Sequence, residues 1–149
     1  MPRIERVAEV VWEGNLARGE GRISAGSSGA FGGLAYSNAS RIGSPAGKTS
    51  PEELLAAAHG GCFTMSLAGE LTALGHPPER LESSCRIVMD EVEGQGHQII
   101  GSEVAVIATV PRIDAATFEK AVALADEGCP FSALLKRASA TVGIDARLA

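Results

Sequence analysis

Along the chain, the spacing of apolar positions switches repeatedly between a period of two and a period of three to four, and the switches mark out the elements. Arg6 to Trp12 is a β-prone run closed by Glu13-Gly14-Asn15, which predicts a hairpin turn and a second strand through Arg22-Ile23-Ser24. From Ala25 to Lys48 glycine and serine dominate, but Phe31, Leu34, Tyr36 and Ile42 intervene, so a short strand and an ordered loop are expected here, not a free linker. At Ser50-Pro51-Glu52-Glu53 the start signals of a helix converge: Ser50 as N-cap, Pro51 at the first helical position and Glu53 as the reciprocal half of a capping box. Leu54/Leu55, Ala58, Cys62, Met65, Ala68 and Leu71/Leu74 then step by three or four until Gly75-His76-Pro77-Pro78 stops the run. This predicts a helix of about seven turns at 3.6 residues per turn. Gly60 and Gly61 in its middle each cost about 1 kcal/mol against alanine, which points to a close approach by another backbone or a ligand beside Cys62.

Alternation returns at Cys85, Ile87 and Met89 and, after the Glu93-Gly94-Gln95-Gly96 turn, at Val104, Val106, Ala108 and Val110, which predicts a hairpin. Asp114 can cap a helix with Phe118, Ala121, Val122 and Ala125 on one face, closing at Gly128. Cys129-Pro130 opens a further short helix through Lys136-Arg137, and a last strand runs from Ala140 to Ile144 or beyond. The order predicts an α+β fold, a mostly antiparallel sheet with a long central helix.

A length of 149 residues suits a single domain, 1–149, and no internal repeat or low-complexity tract divides it. The 45% hydrophobic content is dispersed, and no run reaches the roughly 18 apolar residues of a membrane span. The start Met1-Pro2-Arg3-Ile4-Glu5 lacks the apolar centre of a signal peptide, so a cytoplasmic protein is expected. Thiols stay reduced there, and three separated cysteines argue against a structural disulfide framework, which leaves catalytic, redox or core roles. The net charge of −5 disfavours nucleic acid as a partner.

Cys62 lies on the apolar seam of the long helix, where a small buried apolar residue and a reactive thiol fit equally well. Cys129 stands at a helix N-terminus, whose unpaired N–H groups and dipole favour a thiolate; packing or capping is the plainer alternative. Cys85, alternating in an apolar strand face, reads as core. No Cys-x-x-Cys or His-x-x-x-His spacing occurs, so no structural zinc is expected, and no phosphate-cradling glycine motif is present. His59, three residues before Cys62, could serve as base in cysteine-based acyl transfer.

The run Thr49-Ser50-Pro51-Glu52-Glu53-Leu54-Leu55-Ala56-Ala57-Ala58-His59-Gly60-Gly61-Cys62-Phe63, with Asp126-Glu127-Gly128-Cys129-Pro130-Phe131-Ser132 downstream and Trp12-Glu13-Gly14 and Arg18-Gly19 upstream, resembles the OsmC/Ohr family, and more narrowly its OsmC branch. The resemblance implies a metal-free thiol peroxidase that reduces organic hydroperoxides, and hydrogen peroxide less well, in oxidative-stress defence. It also implies an intertwined homodimer with two sites at the interface. Position by position, Cys62 matches the peroxidatic cysteine, Cys129 the resolving cysteine, and Glu52 the glutamate of the Pro-Glu motif. Arg41 matches the OsmC-type arginine and Arg18 the Ohr-type one; Arg41 is preferred. No bound cofactor is implied, only an external dithiol reductant, which for the Ohr branch is a dihydrolipoyl protein.

These roles are physically coherent. A thiolate attacks the O–O bond, so a cation beside Cys62 lowers its pKa and can donate to the departing alkoxide, while Glu52 holds the arginine by a bidentate pair. Glu52 and Cys62 are ten residues apart, about 15 Å along one helix at 1.5 Å per residue. Either the helix breaks at Gly60-Gly61, or Glu52 and the arginine serving Cys62 come from the partner; the second is expected, with the diglycine letting two helices approach. Phe31, Phe63 and Phe131 can wall an apolar hydroperoxide pocket or be ordinary core. The rival reading is a ligand-binding or redox-sensing dimer that is oxidised without sustained turnover.

Overall fold

Three short strands form the beginning of the chain: β1 (Ala8–Glu13), β2 (Glu20–Ala25) and β3 (Leu34–Tyr36), in an antiparallel meander of that order. The structure, a computed structural model, describes residues 2–149. It comprises two compact units, the first ending at Pro51 and the second being Glu52–Ala149.

In the first unit Trp12, Gly21 and Tyr36 stand side by side across the three strands, and the two rings meet at 5.5 Å between centroids, tilted by 59°. Gly21 is required there because a Cβ would fall 2.1 Å from the Tyr36 ring. After β3 the chain forms α1 (Asn38–Ile42), where only an ordered loop was expected. Ser37 caps it and Ser40 returns the bond, so a capping box nucleates a helix too short to show periodicity. Among the described residues Ile23 is the only apolar side chain buried in this unit, while Val7, Val10, Val11, Leu16 and Ile42 are exposed.

The second unit is built on α2 (Pro51–Ala73), 23 residues without a break at Gly60-Gly61. A hairpin of β4 (Arg80–Val92) and β5 (Gly96–Thr109) turns where expected, with a bulge between Val88 and Met89. Two helices follow, α3 (Ala115–Gly128), capped by Asp114 onto the Thr117 N–H, and α4 (Pro130–Arg137). They form the crossover that lets β6 (Thr141–Leu148) return parallel to β5, giving the sheet order β4-β5-β6.

Phe63, Leu67 and Leu71 from α2, Val104, Val106 and Ala108 from β5, and Phe118, Ala121 and Ala125 from α3 make the core. Fully burying each large side chain contributes about 1.5–3 kcal/mol. The buried face of α2 thus differs from the expected seam: His59, Phe63, Leu67 and Leu71 point inward, Cys62 is half-buried, and Met65 is 74% exposed. Small and apolar residues surround this helix on all sides, so spacing alone did not select the inner face. The close approach expected at the diglycine is made by the chain's own sheet: a Cβ on Gly60 would sit 3.0 Å from the Cys85 Cβ, whereas Gly61 opens to solvent with nothing within 4 Å. Among the described residues no helix is long and apolar enough to cross a membrane.

Candidate active site

The junction of α3 and α4 positions the first thiol. Cys129 is extended (φ −76°, ψ 113°), ends α3 and caps α4, with Pro130 preset at the first helical position. Its sulfur accepts from the Ser132 N–H at 3.5 Å and is fully buried.

Cys62 of α2 faces it. The two thiols lie near one another, and the Phe131 N–H and the Ser66 hydroxyl are also beside the Cys62 sulfur. Burial pushes the Cys62 pKa up and the Cys129 thiol adds to the rise, while the Phe131 N–H and the Ser66 hydroxyl oppose it. None of these neighbours is a cation. The thiols are free, not bridged. Such a pair can supply a nucleophile with a second sulfur beside it, and a positive charge would favour its ionisation.

One turn before Cys62, His59 is fully buried. Its Nδ1 lies 2.6 Å from the Ser102 Oγ and its Nε2 2.8 Å from the Ser132 Oγ, both serines being buried as well. With both ring nitrogens taken by hydroxyls, His59 is not presented to the Cys62 thiol, and acyl transfer lacks its base. Cys85, expected as core, is half-buried against the core and turns its sulfur to this cluster, 3.4 Å from the Ser102 Oγ. Ser102 occupies an inward position in the alternation of β5 and Ser132 lies three residues after the capping Cys129; a serine in an otherwise apolar run was the only available signal for the cluster.

Burial holds the His59 pKa below the ordinary imidazole value, with the Asp126 charge opposing and Lys136 assisting. The sign follows: below about pH 6.5 the unfolded chain binds a proton that the buried ring refuses, so stability is lost on acidification. Urea unfolding at pH 7.5 and 5.5 should therefore show a larger acid loss for the wild type than for His59→Gln. Equal losses would contradict it.

The remaining expected site residues fall in both units. Glu52 is in the first turn of α2, about 15 Å in axial rise from Cys62 along the unbroken helix. Arg41 is in the last turn of α1, and Arg18 lies in the β1–β2 connection, its backbone N–H bonded to Asn15 Oδ1 at 2.9 Å; both belong to the first unit. Phe63 is core, Phe131 half-buried against it, and Phe31 exposed. An open groove beside α2 and β4, lined by Gly61, Met65, Ser83 and Cys85 among others, does not include Cys62.

The family described as OsmC-like protein matches residues 43–145, a span that holds both thiols. The chain belongs to the OsmC-like protein family. This OsmC-like protein is 35% identical over 133 residues to Peroxiredoxin OsmC of Escherichia coli (strain K12), across 89% of this chain and 91% of that relative. Among solved structures, the organic hydroperoxide resistance protein OhrB of Bacillus subtilis superposes with a TM-score of 0.68 at 22% identity, over 95% of this chain and 98% of that one. The organic hydroperoxide resistance protein OsmC of Legionella pneumophila gives 0.68 at 20% identity, over 100% and 99%. At these identities the two structures establish a shared fold.

Proposed function

We propose that this protein is a two-cysteine peroxidase that reduces organic hydroperoxides, and hydrogen peroxide less well, with Cys62 attacking and Cys129 resolving. The observation that carries this reading is the proximity of the two thiols across α2 and the start of α4. The names of the relatives, a peroxiredoxin and organic hydroperoxide resistance proteins, support the substrate class.

In the first step the Cys62 thiolate attacks the terminal oxygen of ROOH, the O–O bond breaks, and the alkoxide takes a proton and leaves as the alcohol. Cys62 becomes a sulfenic acid. In the second, the Cys129 sulfur attacks Cys62: the S–S bond forms, the S–O bond breaks, and hydroxide leaves with the thiol proton as water. An external dithiol, of the dihydrolipoyl type, reduces the disulfide by exchange. The steps as written draw on sulfur chemistry alone and call for no resident cofactor or metal.

Because burial opposes ionisation of Cys62, an arginine completes the site, Arg41 in preference to Arg18, held by Glu52. We assign that arginine and Glu52 to a second copy of the chain in an intertwined homodimer. The distance from Glu52 to Cys62 along α2 supports this, as do the exposed Val7, Val10, Val11 and Leu16 of the first unit and the exposed Gly61 and Met65 on the outer side of α2. A unit of this size with so little apolar burial needs a partner surface.

Reduced protein given cumene hydroperoxide and excess dithiothreitol should consume many equivalents of hydroperoxide per chain. Consumption that halts after one equivalent would leave redox sensing as the better reading.

A further inference from the structure

We propose that His59 is the positioning residue of the resolving step: through Ser132 it fixes the first turn of α4 and so aims the Cys129 sulfur at Cys62. The inference rests on the two-cysteine reading above.

Two parallel links join α2 to the start of α4. One is the pair of sulfurs, Cys62 to Cys129. The other, one helical turn earlier on α2 and one turn further into α4, is His59 Nε2 to Ser132 Oγ at 2.8 Å. Ser132 also ties the links together, since its backbone N–H donates to the Cys129 sulfur at 3.5 Å. The far side of the ring is held in turn, its Nδ1 lying 2.6 Å from the Ser102 Oγ on β5. The imidazole, carried on the same helix as Cys62, is therefore a strut between α2 and the helix start that carries the resolving thiol, and the Ser102 bond occupies its other nitrogen without being part of that link.

An apolar side chain at position 59 would fill buried space without the desolvation cost that three fully buried polar side chains incur. The cluster meets that cost by bonding both ring nitrogens, and what it adds is direction. Condensation demands direction: the Cys129 sulfur must close to about 2.05 Å from the Cys62 sulfur, opposite the departing oxygen. A misplacement of about 1 Å in such an attack costs up to about 100-fold in rate. The first step, attack on the hydroperoxide, meets α4 only at the Phe131 N–H, which favours the Cys62 thiolate, so it depends on the strut less than condensation does.

Ser132→Ala and Ser102→Ala each remove one buried hydroxyl from His59, the first on the Cys129 side and the second on the sheet side, so a general loosening would affect both alike. Pre-reduced protein is mixed with one equivalent of cumene hydroperoxide, quenched at intervals, and scored by mass spectrometry for dimedone-trapped Cys62 sulfenic acid and for the Cys62–Cys129 disulfide. Ser132→Ala should form the disulfide about tenfold to 100-fold more slowly, with a much smaller effect on hydroperoxide loss. Ser102→Ala should stay near the wild type. Equal behaviour of the two, whether both normal or both slowed, overturns the assignment. If Ser132→Ala does not fold, the comparison passes to His59→Gln, whose amide reaches the Nε2 position, and His59→Asn, whose amide occupies the Nδ1 position. The glutamine variant should then resolve faster, and equal rates overturn the assignment. A wild type that forms no Cys62–Cys129 disulfide refutes the peroxidase reading itself, a result distinct from either pattern.

Discussion

Cys62→Ser is expected to lower cumene hydroperoxide consumption by at least about 10³-fold, as removal of an enzyme's nucleophile does. Serine nearly matches the size of cysteine, and the position is half-buried rather than central to the core, so the fold should survive. What disappears is an ionisable, polarisable sulfur able to take the peroxide oxygen. Cys129→Ser should behave differently. Without added thiol it consumes its first equivalent at close to the normal rate and is left as the sulfenic acid, because Cys129 is not there to displace hydroxide from it. Further hydroperoxide carries that acid to the sulfinic state, which dithiothreitol does not reverse. Thiol titration and peptide mass spectrometry after successive equivalents separate the two variants. If both turn over like the wild type, the thiols serve packing alone and ligand binding becomes the reading to pursue.

Mixing two inactive variants should restore activity. Glu52 cannot reach Cys62 along an unbroken α2, so in the proposed dimer each Cys62 is served by the partner's arginine and Glu52. Cys62→Ser and Glu52→Gln homodimers are then both defective. When they are unfolded together and refolded at equal ratio, about half of the dimers are mixed and each contains one intact site, so about a quarter of wild-type activity returns. A within-chain arrangement returns none, since every Cys62 would remain paired with a defective Glu52. Size-exclusion chromatography of the mixture verifies that exchange has occurred.

Much of the fold was legible because its signals are local. Pro51 opens α2 and Gly75-His76-Pro77-Pro78 follow its end; Asp114 caps α3; Glu93 to Gly96 turns the hairpin; Cys129-Pro130 starts α4. Each depends on the backbone preferences of a few neighbouring residues, which act in any surroundings. α1 escaped notice because five residues hold no period, although the Ser37/Ser40 capping box was there to be read. The two sulfurs of the candidate site were also legible, through the residues beside them and the family they resemble.

The inner face of α2 was not legible. Met65 fits the helical period as well as Phe63 does, yet one is exposed and the other fully buried, because β5 and α3 pack on one side of a helix that is apolar all round. Nor could a period of two reveal that Ser102, in an apolar strand face, would meet His59, or that His59 would turn from Cys62 toward Ser132. The sequence by itself determined where the longer elements begin and end and which side chains carry a thiol, since caps, turns and thiol chemistry belong to residues and their neighbours. Only the tertiary structure decided that Cys62 meets Cys129, that His59 joins Ser102 to Ser132, and that β6 runs parallel to β5, because those contacts join distant stretches of chain and are selected by the packing of whole elements.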